Sequence, residues 1–98
     1  MKENDPLFVV ILTYKADLEV INSHREAHLK FINEHYTNGT FVISGRQVPL
    51  TGGVIIAKSE SKEELQKILE LDPYFQHNLV EHTLYEFTPT QSLTGLQR

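Results

Sequence analysis

Two residues stand out for their chemistry, Arg25 and His28, three apart in the stretch Arg25-Glu26-Ala27-His28-Leu29. At roughly 100° per residue they share one helical arc with Leu18, Ile21, Leu29, Ile32 and Tyr36. The opposite arc carries Asn22, Ser23, Glu26, Lys30, Asn33 and Glu34. A guanidinium and an imidazole thus occupy a stripe where a packing helix would place Leu or Ala. Burying either is costly unless it is paired, so both need partners from elsewhere in the chain. Asp72, just before Pro73, is the candidate. A carboxylate bonded to one imidazole nitrogen fixes the tautomer and tunes the other nitrogen as a general base. Arg25 could then hold an anionic substrate group through paired hydrogen bonds. Ser44 and Arg46, flanking Gly45, could add polar contacts from a strand end.

Each of these residues also has a plainer reading. His28 could be a core histidine holding a backbone carbonyl, and Asp72 a helix-terminating Asp-Pro turn. Ordinary hairpin chemistry accounts for Ser44 and Arg46. His24 and His28, spaced i and i+4, could face a metal from one helix, but no metalloprotease signature accompanies them. His35 lies at the edge of the stripe, and His77 and His82 lie in or near a polar connection. No phosphate loop, nucleophile elbow or dinucleotide fingerprint is present, so no cofactor is expected.

The surrounding elements must position these groups. Leu7 to Tyr14 is a continuous apolar run, expected as a central strand buried on both faces. Asp17 is the expected N-cap of a helix running to about Tyr36, closed by Asn38-Gly39. Thr40–Ser44 reads as a second strand, Gly45–Thr51 as a loop, and Gly52–Lys58 as a third strand in hairpin with the second. Ser61 and Glu64 match a capping box. The helix they open buries Leu65, Ile68, Leu69 and Leu71 and stops near Asp72, because proline disfavours helical geometry in the residue before it. His82–Thr88 is the last strand, and Pro89–Arg98 a polar tail. The order is β-α-β-β-α-β, a ferredoxin-like α+β domain with an antiparallel sheet and both helices on one face. Its other sheet face would be apolar and need cover, so a homodimer packed sheet to sheet is expected.

Composition narrows the function. Ninety-eight residues make a single domain with a modest core. A net charge of −4, with no basic cluster, disfavours nucleic acid. The absence of cysteine removes thiol nucleophiles and zinc-thiolate sites. The run Leu7–Leu12 is too short for a membrane helix and has no cleavage site behind it, so a cytoplasmic location is the expectation, with no membrane partner.

Arg25-x-x-His28-Leu29, Gly39, Ser44-Gly45, Gly53 and Asp72-Pro73-Tyr74, in that order, resemble the YCII-related (YciI-like) family over roughly residues 7 to 88. The resemblance implies a dimeric α+β barrel and a pocket with a His–Asp dyad, here His28 and Asp72, preceded by the family arginine, here Arg25. Some relatives resemble dehydrochlorinases of chlorinated hydroxyquinols, in which the dyad would do acid–base work without a cofactor. The chain departs from the family's small-Gly-Pro turn in reading Ser44-Gly45-Arg46. The leading expectation is a lyase or isomerase acting on a small anionic or phenolic substrate. A dimeric module that binds a ligand or a protein without catalysis is the alternative. An enzyme leaves one imidazole nitrogen open to ligand, whereas a structural pair can have both satisfied.

Overall fold

The computed structural model describes residues 5–93. The polar start over 1–4 and the end of the tail over 94–98 lie outside the described residues. The elements, in chain order, are β1 (Leu7–Tyr14), α1 (Leu18–Ser23), α2 (Arg25–Thr37), β2 (Phe41–Arg46), β3 (Gly52–Lys58), α3 (Lys62–Leu69), α4 (Pro73–Gln76) and β4 (Val80–Phe87). The strands form one antiparallel sheet in the order β2-β3-β1-β4. This is the expected ferredoxin-like arrangement, with β1 inside the sheet.

Strand residues alternate between faces, so one set of side chains meets the helices. Phe8, Val10 and Leu12 of β1, Ile55 and Ala57 of β3, and Phe41 of β2 pack on Ile21, Phe31, Ile32, Leu65 and Leu69. The other face bears the alternate residues. Leu7, Val9 and Ile11 of β1 are only half-buried there, so this strand is not covered on both faces within one chain. Ile43 and Tyr85, on the flanking strands, are each 60% exposed.

Four boundaries differ from the sequence expectation. The first helix is broken at His24, whose φ of −109° and ψ of 6° leave helical geometry. Ser23 Oγ donates to Val20 O at 2.6 Å, a local bond that competes with the helical ladder. A helical wheel continued across that break misplaces the residues beyond it. Beyond it Leu29 and Tyr36 of the stripe are exposed and Phe31 is buried instead, and Leu18, before the break, is exposed as well. Asp17 occupies the N-cap position, but its side chain makes no capping bond. The second long helix ends at Leu69 rather than near Asp72, because Leu71 N–H and Asp72 N–H reach back only three residues, to Ile68 O and Leu69 O. That tight turn throws Leu71 outward, 58% exposed rather than buried. β2 runs on to Arg46, and β4 starts at Val80, which puts His82 inside a strand.

Two junctions behave as their residues dictate. Gly39 takes φ +81° just past α2, where a side chain would be strained. Ser61 Oγ accepts from Glu64 N–H at 3.1 Å and opens α3.

Candidate active site

Asp72 is the hinge of the site. It is the N-cap of α4, with extended backbone (φ −63°, ψ 127°) and Pro73 at the first helical position. Its Oδ1 accepts Tyr74 N–H at 3.0 Å. The same oxygen lies 2.8 Å from His28 Nδ1, near the start of α2. The Asp-Pro turn and the pairing with His28 are therefore one structure. Asp72 is fully buried, and its Oδ2 has no partner among the described residues.

Since the carboxylate only accepts, His28 donates through Nδ1 and Nε2 is the bare nitrogen. Among the described residues Nε2 has no hydrogen-bond partner. The imidazole lies flat on Tyr74, with ring centroids 3.9 Å apart and planes within 6°. One short turn, Asp72-Pro73-Tyr74, thus fixes both the edge and the face of the ring. Tyr74 is buried, and burial together with the nearby Tyr14 pushes its phenol up to about 12, against the opposing charge of Arg25. It remains a neutral hydroxyl at ordinary pH.

His28 and Tyr74 open onto a cavity of about 240 Å³ between the helices and the sheet. Arg25, Leu29 and Ile32 complete the helical wall. Leu12 and Tyr14 of β1, Ser44 to Arg46 of β2 and Gly53 to Ile55 of β3 line the sheet side. All the sequence-predicted residues except Asp72 border this space, and Asp72 stands behind His28. Arg25 is half-buried and borders the cavity, and among the described residues it has no hydrogen-bond or ion-pair partner, contrary to the expectation from its place in the stripe. Ser44 Oγ and Tyr36 OH lie 2.6 Å apart, tying β2 to α2. Tyr14, Tyr36 and Tyr74 are not among the site residues that the sequence predicts, although Tyr36 lies in the helical stripe and Tyr74 ends the Asp72-Pro73-Tyr74 motif. Tyr74 carries the clearer signal, two residues beyond Asp72 in a capping turn.

The remaining histidines are engaged elsewhere. His24 packs against His77 with ring centroids 4.1 Å apart and planes tilted by 31°, and among the described residues no group of three or more ligating side chains could hold a metal ion. His35 packs against Phe31 and Phe41, and burial lowers its pKa against the opposing influences of Glu34 and Asn38. His82 stacks on Phe75 at 5.0 Å with both ring nitrogens buried and unpartnered among the described residues. Burial lowers its pKa, opposed by the charges of Asp72 and Glu70.

No helix among the described residues is long and apolar enough to cross a membrane. No curated protein matches the chain at a significant level. Among solved structures, the chain is similar to 5-chloro-2-hydroxyhydroquinone dehydrochlorinase of Burkholderia phenoliruptrix, determined in complex with 2,5-dihydroxybenzoquinone. The superposition has a TM-score of 0.73 at 19% identity and covers 84% of this chain and 93% of that one. At that identity the likeness bears on the fold. The sequence itself matches the YCII-related domain over residues 7–88. With that match spanning every strand and helix described above, the chain belongs to the YCII-related family.

Proposed function

We propose that this chain is a small enzyme of lyase or isomerase type, in which His28 moves a proton on an anionic or phenolic substrate. The observation that carries this reading is the unpartnered Nε2 of His28 in the wall of a cavity, with Nδ1 held at 2.8 Å by Asp72. A structural pair can have both ring nitrogens satisfied by protein, whereas here Nε2 stays open to a ligand. Asp72 orients the ring and stabilises the imidazolium that forms when Nε2 takes a proton. Arg25, one turn before His28, binds the substrate's negative charge, and Ser44 and Arg46 supply contacts from β2. Proton transfer of this kind needs only these side chains. The dehydrochlorinase of similar fold supports a small-molecule reaction of the same broad class.

The test is hydrogen–deuterium exchange by ¹H NMR on a panel of enolisable acids and hydroxyquinols, with 2,5-dihydroxybenzoquinone as a binding probe. Wild type is expected to accelerate exchange on at least one member, and His28→Gln to lose about 10²-fold or more of it. Exchange that His28→Gln leaves unchanged removes His28 from the chemistry. A panel that binds but never exchanges favours the non-catalytic module instead.

The chain is further proposed to work as a homodimer in the cytoplasm. The half-covered sheet face, with Ile43 and Tyr85 exposed on either side of β1 and β3, is the surface a second copy would cover.

A further inference from the structure

Among the described residues, two arginines and no acid border the cavity. Arg25 enters from the first turn of α2, and Arg46 from the last position of β2, so the two guanidiniums come from different walls. Asp and Glu outnumber Lys and Arg by 13 to 9 in this chain, yet among the described residues no acid lines the cavity. Among the described residues the ion pairs are His28–Asp72 and Lys67–Glu64, and neither arginine makes a hydrogen bond or ion pair. Each guanidinium therefore has five uncommitted N–H donors at the border of this space, and Arg46, which is exposed, also borders the surface along Gln47 to Leu50. Two like charges facing a half-enclosed space repel each other unless an anion joins them.

The sheet has also been cleared around Arg46. Its cross-strand partner is Gly53, which offers no side chain to pair or pack with it. A Cβ at Gly53 would meet Gly45 O at 3.2 Å, so the bare floor is also a tight one. The volume of about 240 Å³ lies below the ~300–1,000 Å³ of sites for drug-sized ligands, so the occupant is small.

We infer that the site selects a small dianion whose two acidic groups sit on separate carbons, Arg25 holding the group beside His28 and Arg46 the far one. Planar bidentate pairing with guanidinium suits carboxylates or enolates at both ends. This inference rests on the proposed acid–base reading only for where the reacting end lies. The second charge is a matter of binding and can be measured without turnover.

The experiment is calorimetric titration of the full chain with matched probes, phthalate against benzoate and maleate against isocrotonate, with phenyl phosphate as a third kind of anion. Wild type should bind each dicarboxylate at least about tenfold tighter than its monocarboxylate partner. Arg46→Gln should bring that ratio to within about threefold while leaving the monoanions nearly unchanged, and Arg46→Lys should keep part of it. Arg25→Gln should weaken both members of each pair. Equal binding of the two members by wild type, an unchanged ratio in Arg46→Gln, or no binding of any dicarboxylate overturns the inference. Phenyl phosphate binding more tightly than phthalate also overturns it, since both arginines would then share one group. The ratio should persist in His28→Gln. A persistent ratio without His28-dependent exchange sinks the acid–base reading alone, and His28-dependent exchange without the ratio sinks this inference alone.

Discussion

His28 and Asp72, 44 residues apart in the chain, meet at 2.8 Å on the same carboxylate oxygen that caps α4 through Tyr74 N–H. The orienting contact and the helix cap cannot be removed separately by deleting the side chain. Asn separates the negative charge from these two bonds. In Asp72→Asn the amide oxygen still accepts both bonds, but the negative charge opposite the imidazole is gone. Asp72→Ala should lose about 2–3 kcal/mol of stability, the sum of a cap and a buried hydrogen bond, in a denaturant titration. Asp72→Asn should lose less stability yet drop His28-dependent exchange by about 10²-fold. Equal destabilisation by the two variants would show that neither bond to Oδ1 contributes to stability.

Tyr74 gives the alkaline side of the stability profile. Its phenol ionises in the folded chain only near 12, against an ordinary value of 10.0. Between these values the folded state holds a proton that the unfolded state has released. Stability is therefore fully present below pH 10 and falls as pH rises towards 12. Tyr74→Phe keeps the ring under His28 and should flatten this limb in alkaline denaturation. An unaltered limb would place the loss elsewhere.

His82 shapes the acidic side. Burial lowers its pKa below 6.5, against the charges of Asp72 and Glu70, so below pH 6.5 the unfolded chain binds a proton that folded His82 refuses. Stability should be complete above pH 6.5 and decline on acidification until the folded pKa is reached. His35, also lowered by burial, adds a slope of the same sign. His82→Phe preserves an aromatic face against Phe75 and removes two buried ring nitrogens that lack partners among the described residues. The variant should match or exceed wild type at about pH 7, by up to about 1 kcal/mol, and lose less stability on acidification. A greater loss than wild type in acid would contradict this assignment.

These residues also show which parts of the molecule can be read from sequence. The strand order and the pairing of His28 with Asp72 come from periodicity, an Asp-Pro signal and the family resemblance. The break at His24 does not, because Ser23 has unremarkable helix propensity and acts only through its bond to Val20 O. Leu71 reads as core because its apolar character is visible while the turn that exposes it is not. His82 reads as the start of the last strand beside a polar connection, and its burial stays hidden because it depends on Phe75, which comes from another element. The open state of Arg25 is equally invisible, since it depends on which acids fold away from the cavity.

Gly52 is held by contact rather than by flexibility. A Cβ there would lie 1.7 Å from Leu12 O and 2.8 Å from Leu12 C, both rigid backbone. Leu12 in turn lines the cavity and belongs to the core. Gly52→Ala must push β1 and β3 apart and should cost about 1–3 kcal/mol. It should also weaken ligand binding, although Gly52 does not line the cavity. Gly39→Ala, beside open space but at φ +81°, is the control: it should lower stability through backbone strain and leave binding intact. A Gly52→Ala protein with wild-type stability would mean that the strands can yield at this point.

The sheet face away from the helices supplies the last prediction. Tyr85 lies across from Val9 in register, and Val9 across from Ile56, so the three form a continuous apolar row over three strands. In a chain of this size such a row is a large share of the apolar surface, and covering it would add to a modest core. Sedimentation equilibrium should give a dimer for wild type. Tyr85→Glu and Ile43→Glu, both at exposed positions that leave the folded core untouched, should shift it to monomer, with buried charge costing the interface several kcal/mol. The monomeric variants should also unfold at lower denaturant, because dimerisation stabilises by mass action. If wild type sediments as a monomer at micromolar concentration, the face is covered by something other than a second copy, and the sheet-to-sheet arrangement fails.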